Sequence, residues 1–325
     1  MSNRTKPQLG KVGVLLNPAS GRLKKKGSKI RELAGRLPRS TYQEGRDAAE
    51  IESILHSFAN EQVDTLVVVS GDGTFHLVLS LLLGKTIFAQ MPVLAMIPAG
   101  TTNMTAKDLG SPSNPLKALE ALGEALAGDL NATTIERPVL GIRHGDRPDV
   151  YGMFYGMGLI SEAVESFASS GRGGGMTGER ASFATFIRYL GALFSASPKG
   201  SQQHVQTAIS INGSDYMSEP RLLVLASTLD RLLYGLKPYW GEGKAPIHVT
   251  VIKKSPARLW VRLWPLMFGR GRQFPEDGYF SDDISDIKMK FDGKYVVDGE
   301  LYPAAKEHGP VHITAEKHIE ILKFT

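Results

Sequence analysis

The stretch that most constrains this chain is Ser70-Gly71-Asp72-Gly73-Thr74, set between the apolar runs Thr65–Val69 and Phe75–Leu83. A short β-branched run, a glycine turn and a longer apolar segment predict a strand, a tight turn and a helix. A helix start carries unpaired N–H donors and partial positive charge, so it attracts phosphate. Glycine lets backbone approach such a group closely. Thr74 is expected to cap the helix or to touch a phosphate oxygen. Asp72 carries like charge to a phosphate, so it is expected to hold the turn or a magnesium ion instead.

The surrounding sequence repeats this grammar. Strands are predicted over Lys11–Leu16, Val63–Val69 and Pro92–Ile97. Helices are predicted over Lys24–Leu37, Asp47–Asn60 and Leu116–Ala127, with a short one ending near Leu109-Gly110. Within Asp47–Asn60, Ile51, Ile54, Leu55 and Phe58 recur at helical spacing. Alternation of this kind predicts a parallel sheet covered by helices, with ligands at the carboxyl ends of the strands. Three turns fall at such ends: Asn17-Pro18-Ala19-Ser20-Gly21, Ser70–Thr74 and Pro98-Ala99-Gly100-Thr101-Thr102-Asn103, where Thr101 or Thr102 is expected to cap a helix. The basic residues Arg22, Lys24, Lys25, Lys26 and Lys29 follow the first turn and could neutralise a triphosphate.

After about Asn131 short strands dominate: Thr133–Glu136, Val150–Gly156, Val205–Ile211, Arg221–Ser227, Ile247–Lys253 and Ile287–Val297. Asn212-Gly213 and Asp292-Gly293 read as hairpin turns. Helices are expected near Ser161–Phe167 and Arg180–Phe194, with a mobile glycine-rich loop over Gly171–Gly178. An antiparallel β domain is predicted. The chain of 325 residues has no cysteine, which excludes disulfides and thiol catalysis. A net charge of +5 suits anionic partners such as nucleotides or an anionic membrane surface. No nucleic-acid motif is present. No apolar run reaches the ~18 residues of a membrane span, and Met1–Gly10 lacks an apolar signal core, so a cytoplasmic protein is expected.

In order, Asn17-Pro-x-Ser20-Gly21, Gly71-Asp72-Gly73-Thr74 and Pro98-x-Gly100-Thr101-x-Asn103 resemble the motifs of the diacylglycerol and sphingosine kinase superfamily, in the spacing of its bacterial soluble lipid kinases. Thr41-x-x-x-Gly45 looks like the family's nucleotide-contacting threonine segment, and Asp298-Gly299-Glu300 like its Asp-Gly-Glu signature. The resemblance implies an α/β nucleotide domain over 1–130 and a β-sandwich lipid domain over 131–312, with the active site in the cleft between them. A last strand, Ile313–Phe324, would return to the first domain. It implies ATP and Mg²⁺ as cofactors and a lipid alcohol such as diacylglycerol as acceptor. Asn17, Pro18, Ser20, Gly21, Thr41, Gly71, Asp72, Gly73, Thr74, Gly100, Thr101 and Asn103 would surround the nucleotide, with Asp298 and Glu300 as the catalytic carboxylates.

The chain departs from the family pattern in three places. Ser70 stands where a glycine is usual. Phe75, His76 and Leu77 stand where Leu-Asn-Glu is usual. Gly241-Glu242-Gly243 stands where an Asp-Asp-Gly structural magnesium site is common, with Glu242 as the substitute ligand. Between Arg258 and Arg272, Trp260, Leu263, Trp264 and Phe268 mix with arginines, the composition of a helix lying on an anionic membrane. Arg258 and Arg262 are expected to share one face of it. An NAD kinase shares the glycine turn but not the flanking motifs. A non-catalytic nucleotide or lipid binder is the remaining alternative.

Overall fold

The computed structural model describes residues 9–100, 103–128, 132–169, 205–232, 235–271 and 277–324. Thr101, the glycine-rich loop and the helix expected over Arg180–Phe194 lie outside the described residues. The chain divides into two compact units, Met1–Val139 with Lys317–Thr325, and Leu140–Glu316.

The first unit alternates β1 (Val12–Leu16), α1 (Leu23–Gly35), β2 (Ser40–Glu44), α2 (Ala48–Asn60), β3 (Thr65–Ser70), α3 (Asp72–Gly84) and β4 (Val93–Pro98), then α4 (Met104–Asp108) and α5 (Pro115–Ala127). Its strands pair in parallel in the order β2-β1-β3-β4. The last strand, β15 (Val311–Phe324), joins β4 in parallel with Ile321 opposite Leu94. Because side chains alternate along a strand, Val12, Val14, Leu16, Val67, Val69, Ala95 and Ile97 share one face. They pack there on Ile30 and Ala34 of α1 and on Leu119 and Leu122 of α5. Leu322 and Phe324 of β15 complete that core. On the other face Phe58 of α2 lies against Gly13, where an added Cβ would stand 2.7 Å from its ring. Ile51, Ile54, Leu55 and Phe58 are the buried stripe of α2, and the Asp47 carboxylate caps that helix by accepting from Glu50 N–H.

The second unit begins within β5 (Ala132–His144) and continues through β6 (Val150–Gly152), β7 (Phe154–Gly158) and α6 (Leu159–Ser169) to β8 (Val205–Ile211) and β9 (Met217–Ser227). After these come β10 (Ile247–Lys253), α7 (Leu259–Met267), β11 (Tyr279–Ile284), β12 (Asp286–Lys290), β13 (Gly293–Val297) and β14 (Glu300–Ala304). Its registered pairs are antiparallel, in the order β14-β13-β7-β9-β8-β12-β15, with β10 between β9 and β11. Alternate residues of these strands, among them Tyr155, Met157, Val224, Val249, Ile287 and Val297, form one apolar core.

Three local expectations change. Asn212-Gly213 joins the paired strands β8 and β9, both residues at positive φ. Asp292-Gly293 closes no hairpin: β12 pairs with β8 and β15, while β13 pairs with β7 and β14. Asp292 lacks the positive φ that a two-residue turn needs. Its carboxylate instead accepts from Lys306 N–H at 2.9 Å. The strand expected over Ile287–Val297 is therefore two strands. The one expected over Val150–Gly156 is also two, broken at Met153.

Candidate functional site

Three chain segments meet at the carboxyl ends of β1, β3 and β4. The last rung of the β3–β4 ladder is Ser70 opposite Pro98, and Ala99 N–H then donates to Ser70 C=O at 2.8 Å. Beyond that rung the two loops touch through glycine. A Cβ added at Gly71 would stand 3.0 Å from Gly100 Cα, and one added at Gly100 would stand 2.5 Å from Gly71 Cα. Backbone on both sides leaves nothing able to yield, so both positions need the side-chain-free residue.

Helix α3 starts at once. Gly71 is its N-cap, so Asp72, Gly73 and Thr74 form its first turn. Thr74 does not cap the helix as expected; it sits inside it. Its Oγ1 accepts from Asn17 Nδ2 at 2.8 Å, which leaves the Thr74 hydroxyl proton to donate elsewhere. Asn17 is buried and braces two turns at once, because its Oδ1 also accepts from Ala19 N–H at 2.9 Å. Ser20 is buried within that turn, Pro18 is half-buried and Gly21 is exposed.

Asp72 holds backbone, and not only its own turn. Its carboxylate accepts from Met104 and Thr105 N–H, both at 3.1 Å, and so supplies acceptors to the start of α4. The α4 cap is Asn103, at φ 50, and not Thr101 or Thr102. Asn103 is buried, accepts from Gly100 N–H at 2.8 Å and donates to Gly100 C=O at 2.9 Å. A cradle of main-chain groups, fixed by three buried or half-buried polar side chains, therefore surrounds the start of α3. First-turn N–H groups, glycine surface and a threonine hydroxyl are what bind a phosphate chain.

Asp298-Gly299 is the two-residue turn of the β13–β14 hairpin, with Val297 opposite Glu300 and φ of 49° and 98° at the turn. The Asp298 side chain is buried and accepts from Phe154 N–H at 2.9 Å and Met153 N–H at 3.0 Å. Gly152 makes room for it: a Cβ there would stand 2.5 Å from Asp298 Oδ2. Glu300, by contrast, is exposed. Tyr295 and Tyr302 of the hairpin stack on each other and Tyr295 on Tyr155 of β7, with ring centroids 5.5 and 5.4 Å apart. Burial, reinforced by the Glu300 carboxylate, pushes the Tyr302 phenol up to about 12, so it stays protonated.

A sequence model of the diacylglycerol kinase catalytic domain matches residues 11–134, the segment that carries the cradle. Over that segment the chain is similar to the catalytic domain of diacylglycerol kinases. Diacylglycerol kinases of two Mycobacterium tuberculosis strains, CDC 1551 / Oshkosh and H37Rv, are each 30% identical to it over 118 residues. The match spans 34% of this chain and about a third of the relatives, 35% of their length. The crystal structure of a diacylglycerol kinase from Bacillus anthracis strain Sterne superimposes with a TM-score of 0.61 at 16% identity, covering 98% of both chains. Another, a candidate diacylglycerol kinase from the same strain, gives 0.64 at 20% identity over 100% of this chain and 98% of its own. The fold is shared along the whole chain.

Thr41 is not brought to the cradle. Its register, opposite Gly13, lies toward the amino end of β1, whereas Glu44 pairs with Leu16 at the carboxyl end. Thr41 Oγ1 donates to Glu61 at 2.8 Å, and Glu61 pairs with Lys11 just ahead of β1. Glu242 gathers no metal site: among the described residues no group of three or more His, Asp or Glu side chains is arranged to hold an ion. Gly241 and Gly243 flanking it are packed tightly on the Asp282–Asp283 backbone. Of the basic run, Arg22 donates to Pro98 C=O and Ser113 C=O, stitching the start of α1 to the α4 connection. Lys29 is exposed, and the side chains of Lys24, Lys25 and Lys26 lie outside those described. Sequence reasoning missed Gly152 and Met153. An isolated glycine inside a strand pattern was the available signal.

Proposed function

We propose that this protein is an ATP-dependent lipid kinase, which moves the γ-phosphoryl group of ATP to the hydroxyl of a membrane lipid alcohol, diacylglycerol first among them. The observation that carries the proposal is the contact of Gly71 with Gly100 beside the first turn of α3. A crossing that admits no side chain, next to the first-turn N–H groups of α3 and Thr74, suits the β- and γ-phosphates. In the transfer the lipid oxygen bonds to the γ-phosphorus, the bond to the β–γ bridging oxygen breaks, ADP leaves, and the hydroxyl proton passes to a carboxylate. Glu300 is the better acceptor for that proton, because it is exposed. Asp298 is the positioning residue, its carboxylate engaged by Met153 and Phe154. Magnesium would be held chiefly by the nucleotide's own phosphates and would neutralise their charge.

The test is transfer of label from γ-labelled ATP with Mg²⁺ into a lipid panel in mixed micelles, with NAD as a parallel acceptor and Glu300→Gln as control. A general base contributes about 10²–10⁴-fold, so label in one lipid and a loss of that order in the variant is the expected result. Label in NAD alone, or ATP binding without transfer to any acceptor, would contradict the lipid-kinase reading. Transfer undiminished in Glu300→Gln would contradict the role of Glu300.

A further inference from the structure

Helix α7, Leu259–Met267, is apolar on two opposite sides. Inward, Leu266 is buried and Leu259 packs beside it in a cluster with Leu222, Ile252 and Tyr279. Outward, Val261 is 75% exposed, Trp264 70% and the C-cap residue Phe268 47%. Spacing of three and four residues puts those three on one stripe. The Trp264 and Phe268 rings meet edge to face with centroids 5.3 Å apart. A surface helix of a water-soluble unit turns its polar side outward, so a stripe of this kind marks a contact surface.

The charges around the stripe indicate what it meets. Arg258 at the helix start and Arg270 just past its end are both exposed. Arg262, one turn on from Arg258, does not add to them, because its guanidinium pairs with Asp277. Trp264, Pro265, Phe268 and Arg270 line a shallow depression of about 290 Å³. Aromatic rings that insert at headgroup depth, with arginines placed to meet lipid phosphates, are the composition of an interfacial helix. At nine residues α7 is far short of the roughly 20 that span a bilayer, so it would lie on the surface.

We propose that Val261, Trp264 and Phe268 dock this unit on an anionic bilayer, with Arg258 and Arg270 on lipid phosphates. The proposal deepens the lipid-kinase reading by naming the surface from which substrate is drawn, and it rests on that reading for its purpose. Binding is therefore measured without ATP, by co-sedimentation of the full chain with vesicles of phosphatidylcholine plus phosphatidylglycerol and with phosphatidylcholine alone. Transfer in detergent micelles is measured separately, so each idea can fail alone. The expected result is binding to the mixed vesicles that falls about tenfold or more in Val261→Ser/Trp264→Ser/Phe268→Ser and in Arg258→Glu/Arg270→Glu, with the melting temperature retained. It should also weaken in high salt. Equal binding by wild type and the triple variant would overturn the proposal, as would absence of wild-type binding. A wild-type dimer that the triple variant converts to monomer would overturn it too, by showing that a second copy covers the stripe.

Discussion

At the scale of single residues, the two acids of the Asp-Gly-Glu turn have different surroundings. Asp298 is buried and receives two backbone N–H groups, whereas Glu300 faces solvent. Removing a buried acceptor leaves its donors unpaired, which costs about 1–3 kcal/mol. Asp298→Ala is therefore expected to lower the melting temperature of the protein by several degrees, as read by calorimetry or circular dichroism. Glu300→Gln should leave that temperature unchanged while slowing transfer by about 10²–10⁴-fold. Equal melting temperatures for the two variants would contradict this division. Asn17 has a comparable double role at the cradle, since one side chain bonds both Ala19 and Thr74.

At the scale of elements, α4 shows how a weak piece is held. Five residues cannot sustain a helix alone. Asp72 supplies acceptors to its first N–H groups, and at its far end Asp108 pairs with Arg137 of β5 at 2.6 Å, both largely buried. Asp72→Ala should destabilise the protein by about 1–2 kcal/mol, the usual loss of a helix cap, and should also weaken ATP binding by loosening the connection to Gly100. Urea unfolding and nucleotide titration of that variant read both effects, and an unchanged midpoint would contradict the first. The same elements show what a sequence reveals. Strands β3 and β4 are continuous apolar runs buried on both faces, so they are legible without a structure. β11 is not, because Ser281, Asp282 and Asp283 occupy its centre. β14 carries Pro303 and pairs with β13 alone among the described residues, as suits an edge strand. The three glycine turns were legible as strand-end turns because each ends a buried run. Thr41 misled because a motif match carries no register, and only the pairing with Gly13 reveals which end of β2 it occupies.

At the scale of the whole molecule, acid should loosen the second unit. Burial holds the imidazoles of His144 and His312 below their ordinary value, and His144 Nε2 accepts from Ala305 N–H at 3.2 Å. An imidazole whose folded value is depressed takes up its proton more readily in the unfolded chain, so stability falls as pH drops through about 6.5. The melting temperature is expected to decline between pH 7 and pH 5.5, and His144→Asn/His312→Asn should flatten that decline. A wild-type curve that is flat or rises toward acid would contradict it. The central claim concerns the other unit: the contact of Gly71 and Gly100 beside the start of α3 is where ATP binds. Its most direct test is calorimetric titration of ATP into wild type, Gly100→Ala, Thr74→Val and Thr41→Ala, with folding of each checked by circular dichroism. The account predicts binding at least about tenfold weaker in the folded cradle variants, where phosphate contacts are lost, and essentially unchanged in Thr41→Ala. ATP bound equally well by Thr74→Val and Gly100→Ala, or lost only in Thr41→Ala, would contradict it.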